Sequence, residues 1–485
     1  MRIIGNDPST PRQAQVVASG TLSTGDAVVV NSDGTVSVVG ETAVSSSAGS
    51  SVVFENSVTN KPSAVFDSNS NKVVISYPDN SNSNYGSAIV GTVSGTSITF
   101  GTPVVFESAE SNSFASTFDG SSNKIVIAYA DGGNSYYGTA VVGTVSGTSI
   151  SFGSPVVFAN NGTANQISAT FDSDSNKVVV AYRDDGNSEY GTAAVGTVSG
   201  TAISFGTPVV FEAASTTDIS ATFDSINNKI VIAYSDGGNS GYGTAIVGTV
   251  SGTSISFGSA ALFESDYVIS ISAAFDTASS KVVIAYTDWN NSLYGTAVIG
   301  TVSGASISFN TPVVFESASS VDISISFATF ANKVVIAYRD IANSNRGTAI
   351  VGTVSGASIS FESPVIFAYS NAQYMSTAVD GSSNKVVIAY TDSGNSNYGT
   401  SVVFQPAYTS LNLTANNYIG TAASGAADTQ RAKINLKGAV DENQSGLTAG
   451  QSYYVQTDGT LGTTPADPSV FAGTAVAATK LIVKG

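Results

Sequence analysis

The side chains whose type and spacing could do chemistry recur with a fixed period along the chain. Seven segments carry the pattern Tyr-x-Asp-x-x-Asn-Ser. Asp and Asn side chains hydrogen-bond to the backbone of their own turns, so this pattern favours a structural role in a loop. The functional alternative is a ring of carboxylates that binds a cation such as Ca²⁺ through oxygen ligands. The carboxylates are Asp79, Asp131, Asp184, Asp236, Asp288, Asp340 and Asp392.

Composition removes most catalytic mechanisms. The 485 residues include no Cys and no His, which excludes disulfide frameworks, thiol nucleophiles and every catalytic arrangement that needs a histidine base. Acidic residues such as Glu107, Glu110 and Glu264 could converge in space as a glycosidase pair, but none of them stands in a distinctive pattern. We therefore expect no enzyme, no cofactor and no metal site, with a propeller glycan hydrolase as a distant alternative.

A sialidase-type propeller is a specific form of that alternative. Such an enzyme clamps its substrate with several arginines, whereas the repeats contain only Arg183, Arg339 and Arg346. The asparagine-rich and aspartate-rich turns are the only resemblance to it. The arginine count argues against this interpretation.

Charge and hydropathy limit the partners. Lys and Arg number 18 against 35 Asp and Glu, a formal net charge of −17, which disfavours contact with nucleic acid or with anionic lipid. No window approaches the roughly 18 consecutive apolar residues of a membrane span, and residues 1–8 lack the apolar stretch of a secretory signal. We expect synthesis in a cytoplasm, no signal peptide and no membrane insertion.

A tandem repeat positions these residues. The anchor lysine of a Lys-Val-Val-Ile-type segment recurs seven times at intervals of 52 or 53 residues, and each repeat is rich in Val, Ile, Phe, Tyr and Thr between polar turns. In the third repeat, strands are predicted at residues 167–171, 177–182, 191–198 and 203–211. The anchors are Lys72, Lys124, Lys177, Lys229, Lys281, Lys333 and Lys385.

Four antiparallel strands in about 50 residues describe a propeller blade. The predicted fold is all-β, a seven-bladed β-propeller over residues 49–405. An extra Val-Val-Phe segment near residues 51–55 precedes the first repeat, while the last repeat lacks its outer strand. We expect the first segment to complete the last blade, because a ring must pair its end strands. A solenoid of stacked sheets is the alternative.

The two ends of the chain share a second pattern. Leu-Ser-Thr-Gly before Val28 and Asp-Gly-Thr from Asp33 have counterparts at the same spacing in Leu-Thr-Ala-Gly from Leu447 and Asp-Gly-Thr from Asp458. Asp-Gly between apolar runs predicts a tight hairpin. We expect residues 1–48 and 406–485 to form one accessory β module, with two unrelated β arms as the alternative.

The segments that join consecutive repeats differ most between repeats. Residues 107–113, 159–166, 264–267 and 368–374 are predicted loops, and they share one face of the propeller with the Tyr-x-Asp loops. Aromatic side chains beside Asp, Asn and Ser suit sugar rings, and drift in exposed loops is the alternative. The predicted ligand-binding face consists of Tyr136, Tyr267, Trp289, Tyr369, Tyr374, Asp131, Asp184, Asp236, Asp288, Asp340 and Asp392.

The arms also carry a family resemblance. The opening residues 1–12, Met-Arg-Ile-Ile-Gly-Asn-Asp-Pro-Ser-Thr-Pro-Arg, and the closing segments 446–459 and 480–485 resemble segments of virion structural proteins of tailed marine bacteriophages. The resemblance covers about 130 residues of the arms and none of the repeats. It implies that the arms bind other virion proteins, of the tail fibre or head decoration type, and that the propeller faces outward.

Together these observations predict a non-enzymatic virion protein, made in the host cytoplasm, whose propeller binds a host-surface target, which we expect to be a glycan. A capsid-decorating or tail-decorating protein without a ligand is the alternative. The sequence gives no oligomeric state.

Overall fold

The computed structural model describes residues 2–4 and 12–484 and divides the chain into two compact units. Ser45–Ala407 contains the seven repeats and is called the array; Met1–Val44 and Tyr408–Gly485 form the second unit, called the terminal module. Both are built from β-strands, so the predicted all-β class is confirmed. Most of the opening segment that carries the resemblance, residues 1 and 5–11, and the final Gly485 lie outside the described residues.

Helical structure in the described part of the chain is limited to single turns. No helix there is long and apolar enough to cross a membrane. The 3-10 turns are Asn80–Asn82, Gly132–Asn134, Asp185–Asn187, Gly237–Asn239 and Ser393–Asn395.

The second strand of each repeat starts at the anchor lysine. The five residues after that lysine are buried on both faces, as in a sheet covered by its neighbours, and they are all apolar except for Ser76 in the first repeat. The second strands are Lys72–Asp79, Lys124–Asp131, Lys177–Asp184, Lys229–Asp236, Lys281–Asp288, Lys333–Asp340 and Lys385–Asp392. The third strands are Tyr85–Ser94, Tyr137–Ser146, Tyr190–Ser199, Tyr242–Ser251, Tyr294–Ser303, Arg346–Ser355 and Tyr398–Gln405.

The outer strand of each repeat is in two pieces that both pair with the third strand. The sequence predicted a single strand over residues 203–211, but the chain leaves the ladder at residues 206–208. The first pieces are Ser97–Phe100, Ser149–Phe152, Ala202–Phe205, Ser254–Phe257, Ser306–Phe309 and Ser358–Phe361, and in the last repeat Ser47–Ala48 takes this place.

At five of the seven joins the second piece of the outer strand continues without a break into the first strand of the next repeat. The predicted loops at residues 107–113, 264–267 and 368–374 are therefore wrong, because these polar segments lie within continuous strands that pair first with the third strand of their own repeat and then with the second strand of the next. Residues 160–163 form a loop, where one residue is inserted, and residues 59–62 separate Val52–Val58 from Ser63–Asp67. The joining strands are Val104–Asp119, Val156–Ala159 with Ala164–Asp172, Val209–Asp224, Ala261–Asp276, Val313–Ala328 and Val365–Asp380.

The first and last repeats are joined by pairing. The strand Val52–Val58 pairs with the third strand of the last repeat, with Glu55 opposite Gly399 and Val52 opposite Ser401. The next strand, Ser63–Asp67, belongs to the first repeat. The array is thus closed by hydrogen bonds between its two ends.

The apolar core lies between neighbouring sheets. Ile75 and Tyr77 of the first repeat pack in one cluster with Val387 and Ala389 of the last repeat. Equivalent clusters fill each of the other junctions. Every sheet is therefore stabilised by its two neighbours, including across the closure.

Serines near the start of the first strands link neighbouring repeats. Ser220 Oγ accepts a hydrogen bond of 3.0 Å from the Ala273 backbone, and Ser376 Oγ accepts one of 2.9 Å from Ala64, which crosses the closure. The second repeat has Ala115 at this position. The other serines that make this bond are Ser63, Ser168, Ser272 and Ser324.

The terminal module contains strands from both ends of the chain in one six-stranded sheet. Gln13–Val17 pairs with Arg431–Asn435, and Ala27–Val30 pairs with Tyr418–Ala422. The other strands of the terminal module as a whole are Arg2–Ile4, Val36–Val38, Glu41–Val44, Tyr408–Leu411, Val440–Asp441, Ser452–Val455, Leu461–Gly462, Phe471–Ala477 and Lys480–Val483.

The shared Asp-Gly-Thr pattern folds identically in both places. Thr35 donates to Asp33 Oδ1 from its backbone at 2.9 Å and from Oγ1 at 2.6 Å, and Thr460 donates to Asp458 at the same two distances. These bonds lower the pKa of both Asp side chains. Glycine follows each Asp at a φ near +80°, which a tight turn requires.

The duplication extends to the strands that these hairpins contact. Gly25 donates to Ala422 O and Gly450 donates to Ala475 O, both at 2.8 Å. The segments 418–422 and 471–475 read Tyr-Ile-Gly-Thr-Ala and Phe-Ala-Gly-Thr-Ala. The module therefore contains two copies of one β motif, and the array is inserted within the first copy.

Candidate functional site

The six predicted aspartates each end a second strand and begin the following loop. Asp131 and Asp392 accept hydrogen bonds of 2.9 and 3.0 Å from the backbone of Gly133 and Gly394, two residues later. The carboxylates of Asp184, Asp288 and Asp340 accept similar bonds within their loops. Five of the six carboxylates thus stabilise their own turns.

The sixth aspartate, Asp236, differs from the other five. Asp236 Oδ1 is buried without a hydrogen-bond partner. Burial raises the pKa of Asp184 and of Asp288. No three acidic side chains of the described residues come together as a metal site would require.

Two of the five predicted aromatic residues lie together. Tyr267 and Trp289, 40% and 49% exposed, meet edge to face with ring centroids 5.6 Å apart. Beside them Asn290 Nδ2 donates to Asp266 Oδ1 at 2.5 Å. We call these four residues the aromatic platform.

Neighbouring repeats build the platform jointly. Tyr267 stands on a joining strand, and its carbonyl accepts a 3.1 Å hydrogen bond from the Trp289 backbone in the next Tyr-x-Asp loop. Its ring covers Gly241 of the preceding loop, where a Cβ would lie 2.1 Å from the ring. Gly241 also has φ +76°, so glycine is required there for two reasons.

The other three aromatic residues have separate surroundings. Tyr369, 76% exposed, lies under the Arg346 guanidinium at 5.3 Å. Tyr136 hydrogen-bonds to the Glu110 carboxylate, which raises the Tyr136 pKa. Tyr374 lies at the cavity described next.

One cavity of about 300 Å³ is lined by residues from all seven repeats. At its rim stands one residue per repeat, each eleven positions before the anchor lysine (Lys72 − Lys61 = 11) and each in a left-handed conformation with φ between +46° and +54°. We call this set the mouth ring. Its members are Lys61, Ser113, Gln166, Asp218, Ser270, Asp322 and Tyr374.

β-Bulges in the joining strands turn the mouth ring toward the cavity. In the fourth repeat the register shifts between Thr217 and Ser220, so Asp218 and Ile219 form the bulge. The residue after each mouth residue is apolar and lines the floor. The floor residues are Pro62, Phe114, Ile167, Ile219, Ile271, Ile323 and Met375.

Charges are distributed unevenly around the mouth ring. Burial raises the pKa of both Asp218 and Asp322, and the nearby Arg339 opposes the shift at Asp322. Lys61 lies over the Tyr374 ring at 5.8 Å. The Lys61 ammonium also opposes the pKa shift of both carboxyl groups, so the two acidic side chains of the rim and this basic one attract each other.

Sequence reasoning placed only Tyr374 of the mouth ring in the predicted site. Asp218, Asp322 and Lys61 were missed because the seven residues share no side-chain type. Their common features are the distance to the anchor lysine and an apolar residue immediately afterwards, and an alignment of the repeats on that lysine would have found them.

Comparisons with known proteins concern the fold alone. No family model matches the chain, and no curated protein matches it. The chain is similar in structure to the BP39L lectin from Burkholderia pseudomallei, with a TM-score of 0.54 and 13% identity over 73% of this chain and 98% of the lectin. A weaker likeness, TM-score 0.40 and 11% identity over 64% of this chain and 97% of the other, is to the SapL1 lectin in complex with alpha methyl fucoside.

Proposed function

We propose that the array is a seven-bladed β-propeller that binds glycan without catalysis. Support for the propeller comes from the sevenfold repeat, the pairing of Val52–Val58 with the last repeat, and a single cavity lined by all seven repeats. The similarity to the BP39L lectin, which has TM-score 0.54, supports the same class of fold.

The observation that carries glycan binding is the exposed Tyr267–Trp289 pair. Large aromatic rings are normally covered, whereas these two exposed rings, held edge to face with the Trp289 backbone bonded to the Tyr267 carbonyl, each offer an apolar face at little entropic cost. The C–H face of a pyranose can stack on such a surface. Asp266 and Asn290 beside it provide acceptors and donors for the hydroxyl groups. BP39L is itself described as a lectin, which agrees with this function.

An enzymatic function lacks comparable support. Five of the repeated aspartates are hydrogen-bonded to their own loops. Glu107, Glu212, Glu264 and Glu316 accept hydrogen bonds from buried tyrosines. These carboxylates are used by the fold.

We further propose that the protein is a virion component, with the terminal module bound to other virion proteins and the array exposed to the host surface. The resemblance of the arms to virion structural proteins of tailed marine bacteriophages motivates this proposal. Immunogold electron microscopy tests it: label on fibres or a tail tip supports attachment, label over the head supports decoration, and unlabelled particles would contradict both.

A glycan array with the full-length protein tests binding. Trp289→Ala and Tyr267→Ala should each reduce the signal at least tenfold, because stacking on the ring is lost. Tyr369→Ala is the matched control, since it removes an exposed aromatic residue outside the platform. Equal binding by the platform variants and the wild type would refute this site.

A further inference from the structure

One backbone hydrogen bond recurs at every join between repeats. Val268, the residue after Tyr267, donates from its backbone to the carbonyl of Gly241 in the preceding Tyr-x-Asp loop at 3.1 Å. The same bond at the other six joins defines a pair of residues equivalent to Tyr267 and Gly241. These pairs are Val58 and Asn397, Glu110 and Asn84, Thr163 and Tyr136, Ser215 and Glu189, Ser319 and Leu293, and Asn371 and Asn345.

Gly241 differs from the loop residues at the six other joins. All seven have a left-handed backbone, with φ between +58° and +76°, but of these seven residues only Gly241 lacks a side chain. The space of that side chain is taken by Tyr267, because a Cβ at position 241 would lie 2.1 Å from its Cδ2 atom and 2.5 Å from Cε2. A side chain at position 241 and the observed position of the Tyr267 ring therefore exclude each other.

The preceding join shows the opposite arrangement. There the loop residue is Glu189, and its carboxylate accepts a 2.6 Å hydrogen bond from Oγ of Ser215, the counterpart of Tyr267. A short residue on the joining strand thus leaves room for a long side chain in the loop. The two positions share one space, which either an aromatic ring or a loop side chain can fill.

Tyr267 in turn holds Trp289. Its carbonyl accepts the 3.1 Å hydrogen bond from the Trp289 backbone, and the two rings meet edge to face. The platform therefore depends first on Gly241, which leaves the space. Tyr267 fills that space, and Trp289 packs on Tyr267.

The backbone alone does not produce a platform. At the next join Ser320 donates to the Leu293 carbonyl at 2.9 Å. Ile341 donates to the Ser319 carbonyl at the same distance, so both backbone bonds of the platform are present there. The side chains account for the difference between the two joins, which have Leu293, Ser319 and Ile341 in place of Gly241, Tyr267 and Trp289.

We propose that Gly241 is the positioning residue of the aromatic platform, and that the array consequently binds one glycan per chain although its sequence repeats seven times. This inference rests on the proposed glycan-binding function. Gly241 acts through the Tyr267 ring. At the six other joins, all of them within the described residues, no loop counterpart of Gly241 is a glycine and no joining-strand counterpart of Tyr267 is aromatic.

Isothermal titration calorimetry on the full-length protein measures affinity and stoichiometry. The probe is the neutral oligosaccharide with the strongest wild-type signal on the glycan array, and the wild type should bind it at one site per chain. Gly241→Asn should weaken this binding by about tenfold or more, because the asparagine displaces the Tyr267 ring. Asparagine occupies the equivalent positions 84, 345 and 397 with φ between +60° and +62°, so this substitution is compatible with the backbone.

Trp289 gives a readout that needs no sugar. It is the single tryptophan of the chain, so tryptophan fluorescence reports on the platform alone. In Gly241→Asn the emission maximum should move to longer wavelength, because Trp289 loses its ring contact, while far-ultraviolet circular dichroism should be unchanged. Asn397→Gly is the matched control. It makes the reverse change at a join without an aromatic residue on the joining strand, and its binding and fluorescence should equal those of the wild type.

A second platform can be built at the next join. The triple variant Leu293→Gly, Ser319→Tyr and Ile341→Trp places the three side chains on a backbone that already makes both hydrogen bonds. It should bind two molecules of the same oligosaccharide per chain. The double variant Ser319→Tyr and Ile341→Trp keeps Leu293 and should still bind one.

Three results would overturn the proposal: a wild type that binds more than one oligosaccharide per chain, a Gly241→Asn variant with wild-type affinity and fluorescence, or a triple variant with native circular dichroism that still binds one. A wild type that binds no glycan on the array would refute the proposed function and, with it, the count of one site. A shifted Gly241→Asn fluorescence would in that case still support the positioning role.

Discussion

The hydroxyl group of Tyr129 donates a 3.0 Å hydrogen bond to the carboxylate of Glu107, which belongs to the outer strand of the preceding repeat. Phe106 packs on the same tyrosine with ring centroids 5.2 Å apart. The Tyr77–Glu55 pair repeats this contact across the closure at 3.2 Å. Each such pair couples neighbouring sheets by one buried polar bond within an apolar junction.

Tyr129→Phe should lower the free energy of unfolding by about 1–3 kcal/mol, because it leaves a partly buried carboxylate without its donor. Tyr182→Phe is the matched control, since Ala159 replaces the glutamate there, and it should cost less than Tyr129→Phe. Denaturant titration of both variants measures the difference. Equal costs would show that the Tyr–Glu bond contributes no net stability.

The glutamates of these pairs should make stability depend on pH. Burial raises the pKa of Glu107, Glu212, Glu264 and Glu316 above the usual 4.5. At pH values between 4.5 and the raised pKa values, the folded state therefore binds more protons than the unfolded chain. The free energy of unfolding consequently falls as the pH rises through that range.

We expect the melting temperature of the wild type to increase as the pH is lowered toward 5 from neutrality, because pH 5 approaches the ordinary Glu pKa of 4.5. A variant with all four glutamates replaced by glutamine should show a flatter dependence. Comparison of the two profiles removes the contribution of all other groups, including Asp33 and Asp458, whose pKa values shift downward. Parallel profiles would contradict the assignment.

The seven buried tyrosines of the repeats should stay protonated until the array unfolds. Burial raises the pKa of seven repeated tyrosines, that of Tyr390 to about 12 and those of Tyr77, Tyr129, Tyr182, Tyr234, Tyr286 and Tyr338 further. Because these pKa values are raised, the stability they contribute is complete below pH 10 and is lost above it. The phenolate absorbance of these seven residues should therefore appear only with alkaline unfolding, followed in parallel by circular dichroism; their ionisation in the folded protein would contradict this.

Ala115→Ser should stabilise the array by about 0.5–1.5 kcal/mol, because a serine there can accept a hydrogen bond from the next repeat as its six counterparts do. Ser220→Ala is the reciprocal variant and should cost a similar amount. Thermal unfolding of both variants tests the idea. A destabilised Ala115→Ser protein would mean that the junction cannot accommodate the hydroxyl group.

The terminal module should fold without the array. Val44 and Tyr408 are partners in the short ladder of Glu41–Val44 with Tyr408–Leu411, so an Asn-Gly turn can join them as a hairpin. Replacement of residues 45–407 by Asn-Gly should give a protein with cooperative unfolding and β-type circular dichroism. An aggregated or unfolded product would show that the module depends on the array.

The repeats made much of the strand arrangement predictable, because the apolar run after each anchor lysine is long and regular. The joining strands were mistaken for loops because residues such as Ser108, Glu110 and Ser111 are polar, although their backbone is paired. Their register shifts place the two halves of one strand in different sheets, and hydropathy alone carries no such information.

The site was less predictable. Tyr267 and Trp289 are 22 positions apart (289 − 267 = 22), and their contact depends on how consecutive repeats pack. The mouth ring is defined by backbone conformation and position in the repeat, and its side chains have no common chemistry. Both features arise only when the repeats are assembled.

The chain crosses between the terminal module and the array twice, after Val44 and before Tyr408. A pulling force between the array and the terminal module is consequently shared by two covalent tethers. Cleavage of either tether by a protease leaves the other intact.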